Sequence, residues 1–390
     1  MANNRYLFKN INNDLQDKMV FLGGPRQVGK TTLAKTIGEG FNKSVYLNWD
    51  ASADRKTILA EKFSPDADLI IFDELHKYRS WKNYLKGQYD KNKDNYKIIL
   101  TGSARLDVYR RGGDSLLGRY FYLRLHPFSL SETLNINHSF KIFEKLNFKE
   151  DIDSRKKFEQ LFEFGGFPEP FFKEDLRFLR RFHNMRVERL VKEDIRDIEA
   201  LRDISQILIL AESLPTRVSS VFSINALRED LNVTHKTISH WVDILERFYY
   251  LYRIYPFAIS TIKSLRKEPK AYLWDWSQVE DEGARFENII ASHLLKFCHY
   301  LYDVEGQKAE LRYLRDIDKH EVDFIVTINN KPWFIVEVKL TDQDVSKNLL
   351  YFQERIKAPL AFQVVKSTGV DFMQKNIRVM SADKFLSGLV

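Results

Sequence analysis

The sequence predicts an α/β protein of several domains, and three stretches carry that expectation. An apolar run at residues 18–22 passes through a glycine-rich turn into a helix-compatible segment, "KMVFLGGPRQVGKTTLAKTIG". Further apolar runs, "VYLNWD", "DLIIFDELHKY", "YKIILTGSARL" and "YFYLRL", alternate with helix-compatible segments, the pattern of a parallel sheet covered by helices on both faces. Near the C-terminus, "EGARFENIIASHLL" has the spacing of an amphipathic helix and precedes two strand-like runs joined at Asn329–Asn330.

A chain of 390 residues exceeds one ordinary core, so two to four domains are expected. Hydrophobic residues make up 44% and charged residues 29%, a soluble globular composition. No apolar run reaches bilayer-spanning length, and "MANNRYLFKNINND" lacks the apolar stretch of a signal peptide. Cys298 is the single cysteine, which excludes disulfides and cysteine-based zinc sites and suits a reducing, cytoplasmic location. The net charge of +7 suits a polyanion without requiring one. Arg105 to Arg124 is locally basic, whereas the arginines of "LRFLRRFHNMRVERLVKEDIRDIEALR" alternate with acids and read as a solvated helix with internal ion pairs.

Gly24, four residues, Gly29, Lys30 and Thr31 match GxxxxGK[ST] between a strand and a helix. The loop Gly24, Pro25, Arg26, Gln27, Val28 and Gly29, with Lys30, Thr31 and Thr32, is the expected ATP phosphate site. Glycines let backbone N–H groups curl around a phosphate, and the helix N-terminus adds its dipole. Lys30 would neutralise β/γ oxygens, and the Thr31 hydroxyl would ligate Mg²⁺. The strand 69–72 runs into Asp73 and Glu74, the first expected to hold magnesium and the second to polarise the attacking water. Ser103, after the "LTGS" strand, is a candidate γ-phosphate sensor, or merely a polar residue following a strand. With these motifs the N-terminal third resembles AAA-type P-loop ATPases. That resemblance implies a neighbouring subunit's arginine at the nucleotide, with Arg119 or Arg105 as candidates, and hence a homo-oligomer in the ATP state; either arginine is equally an ordinary surface residue.

Gly165, Gly166 and Pro168 break the α-rich middle between two helical runs; by the same resemblance this region would be a helical lid. Beyond it, "SINALREDLNV" reads as a capped helix, and Thr234 is the expected N-cap of the next, whose Ile238, Trp241, Leu245 and Phe248 form one apolar stripe. Helix, short turn, helix and an aromatic strand-like run outline a winged helix–turn–helix. Lys236, Thr237, Ser239 and His240 would face a DNA major groove, although Asp243 and Glu246 on the exposed side would repel phosphates. A winged helix serving only as spacer or protein contact is the alternative.

The run "WFIVEVKL" holds an acid and a base one pleat period apart. A hairpin turning at Asn329–Asn330 would bring Asp323 near Glu337, and paired carboxylates can share hard divalent cations. Lys339, on the same face as Glu337, could position water or stabilise charge at a phosphodiester. Helix acid, strand Asp, hairpin and Glu-x-Lys resemble the core of PD-(D/E)xK nucleases, a restriction-endonuclease-like α/β domain. Glu287, Asp323, Glu337 and Lys339 stand at the matching positions, with Gln353 as a further polar candidate, and Mg²⁺ or Mn²⁺ is the implied metal. Such a core can also bind nucleic acid, or merely scaffold, without cutting.

The whole chain resembles prokaryotic ATPases that join an AAA-type domain to a C-terminal domain of unknown function with a winged helix and a nuclease-like end. The expected division is an ATPase core at 1–135, a helical lid or connector at 136–205, a winged helix–turn–helix at 206–262 and the nuclease-like domain at 263–390. The leading expectation is an ATPase acting on nucleic acid, DNA before RNA, with no membrane partner. The alternative is a nucleotide-dependent assembly or binding switch whose nuclease-like domain is inactive.

Overall fold

The computed structural model describes residues 5–102, 116–149, 151–195, 204–258, 268–341 and 344–390. The chain forms two compact units, Met1–His126 with Arg247–Tyr249, and Pro127–Glu246 with Tyr250–Val390.

In the first unit the order is α1 (Phe8–Asp17), β1 (Met19–Gly23), α2 (Lys30–Gly38), β2 (Ser44–Asn48), α3 (Ser52–Leu59), β3 (Leu69–Asp73), α4 (Trp81–Asn92), β4 (Lys97–Gly102) and β5 (Tyr120–Arg124). The five strands are parallel in the order β2-β3-β4-β1-β5. β1 and β3 are buried along their whole length, which is why both read as unbroken apolar runs rather than alternating ones. β4 lies between them, pairing Gly102 with Gly23 on one side and Thr101 with Asp73 on the other. The C-terminal strand ends therefore bring the phosphate-loop strand, Thr101 and Asp73 to one edge of the sheet, where ligands bind in open α/β folds.

The second unit continues with α5 (Leu130–Thr133), α6 (Ser154–Phe164), α7 (Pro168–Lys173), α8 (Leu176–Arg189), α9 (Ile204–Ser213), α10 (Ile224–Leu231), α11 (His235–Arg247), β6 (Leu251–Ile254) and β7 (Lys270–Leu273). Then come α12 (Glu282–Asp303), β8 (Ala309–Arg315), β9 (Glu321–Ile328), β10 (Lys331–Lys339), α13 (Lys347–Ile356), β11 (Leu360–Val365), β12 (Asp371–Gln374), β13 (Ile377–Ser381) and α14 (Ala382–Leu386). The expected lid helices belong to this unit: α6 packs against α5, α12 and α14, with Phe158 and Phe162 against Phe286 of α12.

Ser223 caps α10 by accepting from the Ala226 N–H. Asn232 ends that helix in the left-handed region, and Thr234 accepts from the Thr237 N–H at the start of α11. Ile238, Trp241, Leu245 and Phe248 are all buried, while β6 and β7 form a separate antiparallel pair.

The six-stranded sheet has the order β12-β13-β11-β10-β9-β8. β9 and β10 turn at Asn329 and Asn330, both with positive φ, 51° and 62°, the backbone that a two-residue hairpin with Asn favours. β10 lies between antiparallel β9 and parallel β11, with Phe334 against Phe297 of α12 and Ile335 in one cluster with Leu349 and Phe352 of α13. From Trp333 to Val338, Glu337 included, the strand is buried, and Lys339 at its end is exposed. No helix of the described residues is long and apolar enough to cross a membrane.

Candidate functional site

Two polar sites stand at the positions the sequence singles out, one in each unit.

The loop after β1 is tight. Gly24 has φ 146°, and a Cβ there would lie 2.4 Å from the Leu125 carbonyl oxygen. Gly29, at φ 97°, leads into α2 from the left-handed region. Lys30 is buried, and its ammonium donates to the carbonyls of Gly24 (2.9 Å) and Pro25 (2.7 Å). The loop therefore already curls around a cationic group. Thr32 is exposed, and Arg26 and Gln27 are half-buried. Thr31 donates to Asp73 Oδ2 at 2.9 Å, so the hydroxyl and carboxylate expected to share magnesium are in contact. Asp73 also accepts from Tyr46 (2.7 Å) and from the hydroxyl of Thr101.

Glu74 leaves β3 with φ 55°, a left-handed conformation that costs a non-glycine residue energy. Burial raises its pKa, Lys30 opposes that rise, and Asp73 adds to it. His76 Nε2 lies 3.5 Å from Glu74. Burial, helped by Lys77 and Lys30, pushes this imidazole down to about 3, so it is neutral at physiological pH.

Three contacts here lie outside the motif. Tyr46 and Thr101 orient Asp73 from the two flanking strands. Arg5, before α1, donates to the loop carbonyl of Val28 (2.8 Å) and to that of His126 (2.5 Å), pinning the loop from behind. Arg119 is elsewhere. It stands at the start of β5, the strand end away from the loop, and binds Asp90 through Nε (2.7 Å) and Nη2 (3.0 Å). Ser103 and Arg105 lie outside the described residues.

In the second unit, the hairpin register places Asp323 opposite Glu337, one step beyond the pair Val336–Phe324. Asp323 Oδ2 accepts the Val338 N–H at 2.9 Å, so a carboxylate takes the place of a ladder carbonyl. Lys339 lies 2.7 Å from Glu337 Oε1, which also accepts from Ser346 (3.1 Å). Glu337 Oε2 is buried without a hydrogen-bond partner. Burial pushes the Glu337 carboxyl up to about 7, Asp323 adds to the rise, and Lys339 opposes it.

Glu287, on α12, accepts from Tyr272 (2.6 Å), Lys270 (3.2 Å) and Ser219. Lys270 was not among the residues expected here. Its buried ammonium lies 2.7 Å from Glu321, 3.2 Å from Glu287 and 3.5 Å from Asp323. Burial works against that charge, but Glu287, Asp323 and Glu321 together raise its pKa. Gln353 does not join the cluster; its amide donates to the Ala358 carbonyl at the end of its own helix (3.1 Å).

Mg²⁺ with a nucleotide fits the first site, where loop, ammonium, hydroxyl and carboxylate converge. A divalent ion does not fit the second as it stands. Among the described residues, three acid or imidazole ligand atoms come within 4.8 Å of one another at Asp316, Asp318 and His320, not at Glu287, Asp323 and Glu337. At that other turn, His320 is paired with Asp316 (2.9 Å) and stacked on Tyr351.

Comparison with known proteins matches three regions of the chain to families. Residues 16–134 match the AAA domain family AAA_14. Residues 155–279 match one domain of unknown function (DUF8612), and 282–385 match another (DUF4143). An uncharacterized protein of Methanocaldococcus jannaschii, MJ1637, is 25% identical over 90% of this chain and 81% of its own. Among solved structures, the Walker-type ATPase paby2304 of Pyrococcus abyssi is 14% identical with a TM-score of 0.41, covering 71% of this chain and 94% of its own. A point variant of RuvB from Thermotoga maritima is 18% identical with a TM-score of 0.32, covering 63% of this chain and 88% of its own. The N-terminal region is an AAA-type P-loop ATPase-like domain, followed by two regions that match families of unknown function.

Proposed function

We propose that the protein binds and hydrolyses Mg-ATP in the first unit and that nucleotide state governs nucleic-acid binding, DNA foremost, by the second. The observation that carries the ATPase half is the contact of Thr31 with Asp73 beside a loop that encloses Lys30. In this reading Lys30 contacts the β/γ oxygens and Thr31 and Asp73 hold magnesium, whose positive charge offsets that of the phosphates. Glu74, its carboxyl raised by burial, takes a proton from the attacking water.

The nucleic-acid half draws support from α11. Lys236 and His240 are exposed and Thr237 and Ser239 half-buried near its N-terminus, as a recognition helix of a winged helix–turn–helix requires. The acids that would repel phosphates are compensated. Arg253 of β6 lies 2.7 Å from Asp243 and donates through Nε to Glu246 at 3.0 Å.

The acid cluster favours a nuclease-like core that binds nucleic acid without cutting it, since Lys270 stands among its carboxylates. The test is phosphate release from ATP with Mg²⁺, alongside retention of linear, circular and single-stranded DNA with and without ATP. Lys30→Ala is expected to abolish hydrolysis, and Lys236→Ala to weaken DNA retention while hydrolysis persists. Hydrolysis unchanged in Lys30→Ala would sink the first half. Wild-type protein that hydrolyses ATP yet retains no form of DNA would sink the second.

A further inference from the structure

Asp323 and Glu337 face each other across two neighbouring strands, and like charges in that position repel. A metal-dependent hydrolytic core resolves the conflict with a divalent ion, bound by several oxygens at about 2.0–2.6 Å. Here the oxygens are engaged otherwise. Glu287 is met by Tyr272, Lys270 and Ser219, and Asp323 by the Val338 N–H and Lys270. Glu337 Oε1 is met by Lys339 and Ser346, which leaves Glu337 Oε2 as the cluster's buried oxygen without a partner. One oxygen does not make a site for a hard cation.

The donors have a common origin. Ser219, Lys270 and Tyr272 come from residues 155–279, whereas the acids they meet, Glu287, Glu321 and Asp323, come from residues 282–385, two separately matched regions. Lys270 arrives on β7, paired with β6, and spans Glu321, Glu287 and Asp323 with one ammonium.

We propose that Lys270 is a tethered cation that fills the divalent-metal position of this core, so that the cluster takes up a metal ion only when that ammonium is removed. The inference rests on the proposed reading of the hairpin as a nuclease-like core. It explains why acids positioned for metal are already neutralised, and it makes the β6–β7 pair the element that closes the site. An ammonium and a dication compete for the carboxylate oxygens that the ammonium already engages, because the like charges repel where solvent screens them poorly.

The test uses full-length, nucleotide-free protein and Mn²⁺ alone, with free Mn²⁺ followed by electron paramagnetic resonance. Wild type is expected to show no Mn²⁺ binding that Asp323→Asn removes. Lys270→Met is expected to gain one ion, bound roughly tenfold or more tighter than by wild type, and to lose it in Lys270→Met/Asp323→Asn. Mn²⁺ should also raise the melting temperature of Lys270→Met and leave that of wild type unchanged. A folded Lys270→Met that gains no ion overturns the proposal. So does a wild-type ion that disappears in Asp323→Asn, and that arm decides the matter even if Lys270→Met fails to fold. Loss of DNA retention with these metal results intact would remove the nucleic-acid reading alone.

Discussion

Both units bury a lysine at the centre of their polar site, and the partners differ. Lys30 donates to two backbone carbonyls of the loop it follows. Lys270 lies among three carboxylates supplied by α12 and β9. Carbonyls are neutral and weak holders of a cation, so an incoming polyphosphate competes well for Lys30. Carboxylates neutralise Lys270 outright, and a ligand would need to separate a buried ion pair to reach it. One arrangement keeps a cation available; the other uses a cation to close a site.

The widest separation between the two sites is expected at Glu74. Glu74→Gln removes the proposed base but keeps its size, so turnover should fall by about 10²–10⁴-fold with nucleotide affinity little changed. Phosphate release and nucleotide titration check the two quantities separately. An equal loss of both would make Glu74 a structural prop of the loop rather than a base.

Lys270→Met sharpens the contrast from the other side. Removing one partner of a buried ion pair typically costs about 3–5 kcal/mol, because Glu287, Glu321 and Asp323 lose the ammonium they share. Denaturant unfolding should show that loss. Lys30→Ala is expected to cost less stability, since its hydrogen bonds to Gly24 and Pro25 go to neutral carbonyls rather than to three carboxylates. Equal destabilisation by the two substitutions would mean that the two lysines are held alike.

These residues also show where sequence reading succeeds. The phosphate loop, Asp73 and Glu74, and the Asn329–Asn330 turn are legible because each is a short local pattern whose backbone demand falls on particular residue types. Asp323 and Glu337 do not follow from the turn alone: its register would set Glu337 opposite Val322, and an irregularity between Pro332 and Phe334 shifts the pairing by one residue to bring Asp323 there. Lys270 is not legible. It sits in "EPKAYLWD" far upstream, where one basic residue at the start of a strand has no local signature. Arg5, Tyr46 and Thr101 escape for the same reason: they act on the loop or on Asp73 from other elements. Burial of β10 on both faces depends on α12 and α13 packing over it, which alternation within eight residues does not encode.

The acid cluster should also give the second site a pH dependence. Glu337 has its carboxyl pushed up to about 7, chiefly by burial, from an ordinary value of 4.5. The folded state therefore binds this proton more tightly than the unfolded chain does. Its contribution is full below about pH 4.5 and is lost as pH rises through about 7, amounting to about 3 kcal/mol. Glu337→Gln should remove that share of the slope between pH 5 and 8. Glu287, raised in the same direction by burial and Asp323, keeps the remainder. Unfolding free energies at several pH values decide it, and an unchanged slope in Glu337→Gln would assign the titration to Glu287.

The smallest effect concerns whether the second unit meets phosphates at all. Arg253 binds Asp243 and Glu246 on the side of α11 that a duplex would approach. Partly exposed ion pairs contribute only about 0–1 kcal/mol to stability, so Arg253→Ala should unfold almost as wild type does. Its consequence for binding is larger in kind. Two carboxylates would be released next to Lys236 and His240, and DNA affinity should fall about three- to tenfold at low salt, a gap that narrows as screening increases. Arg253→Lys keeps the charge but not the planar fork that reaches both acids, so it should recover only part of the loss. If Arg253→Ala bound DNA as wild type does at every salt concentration, α11 would not be the surface facing the phosphates.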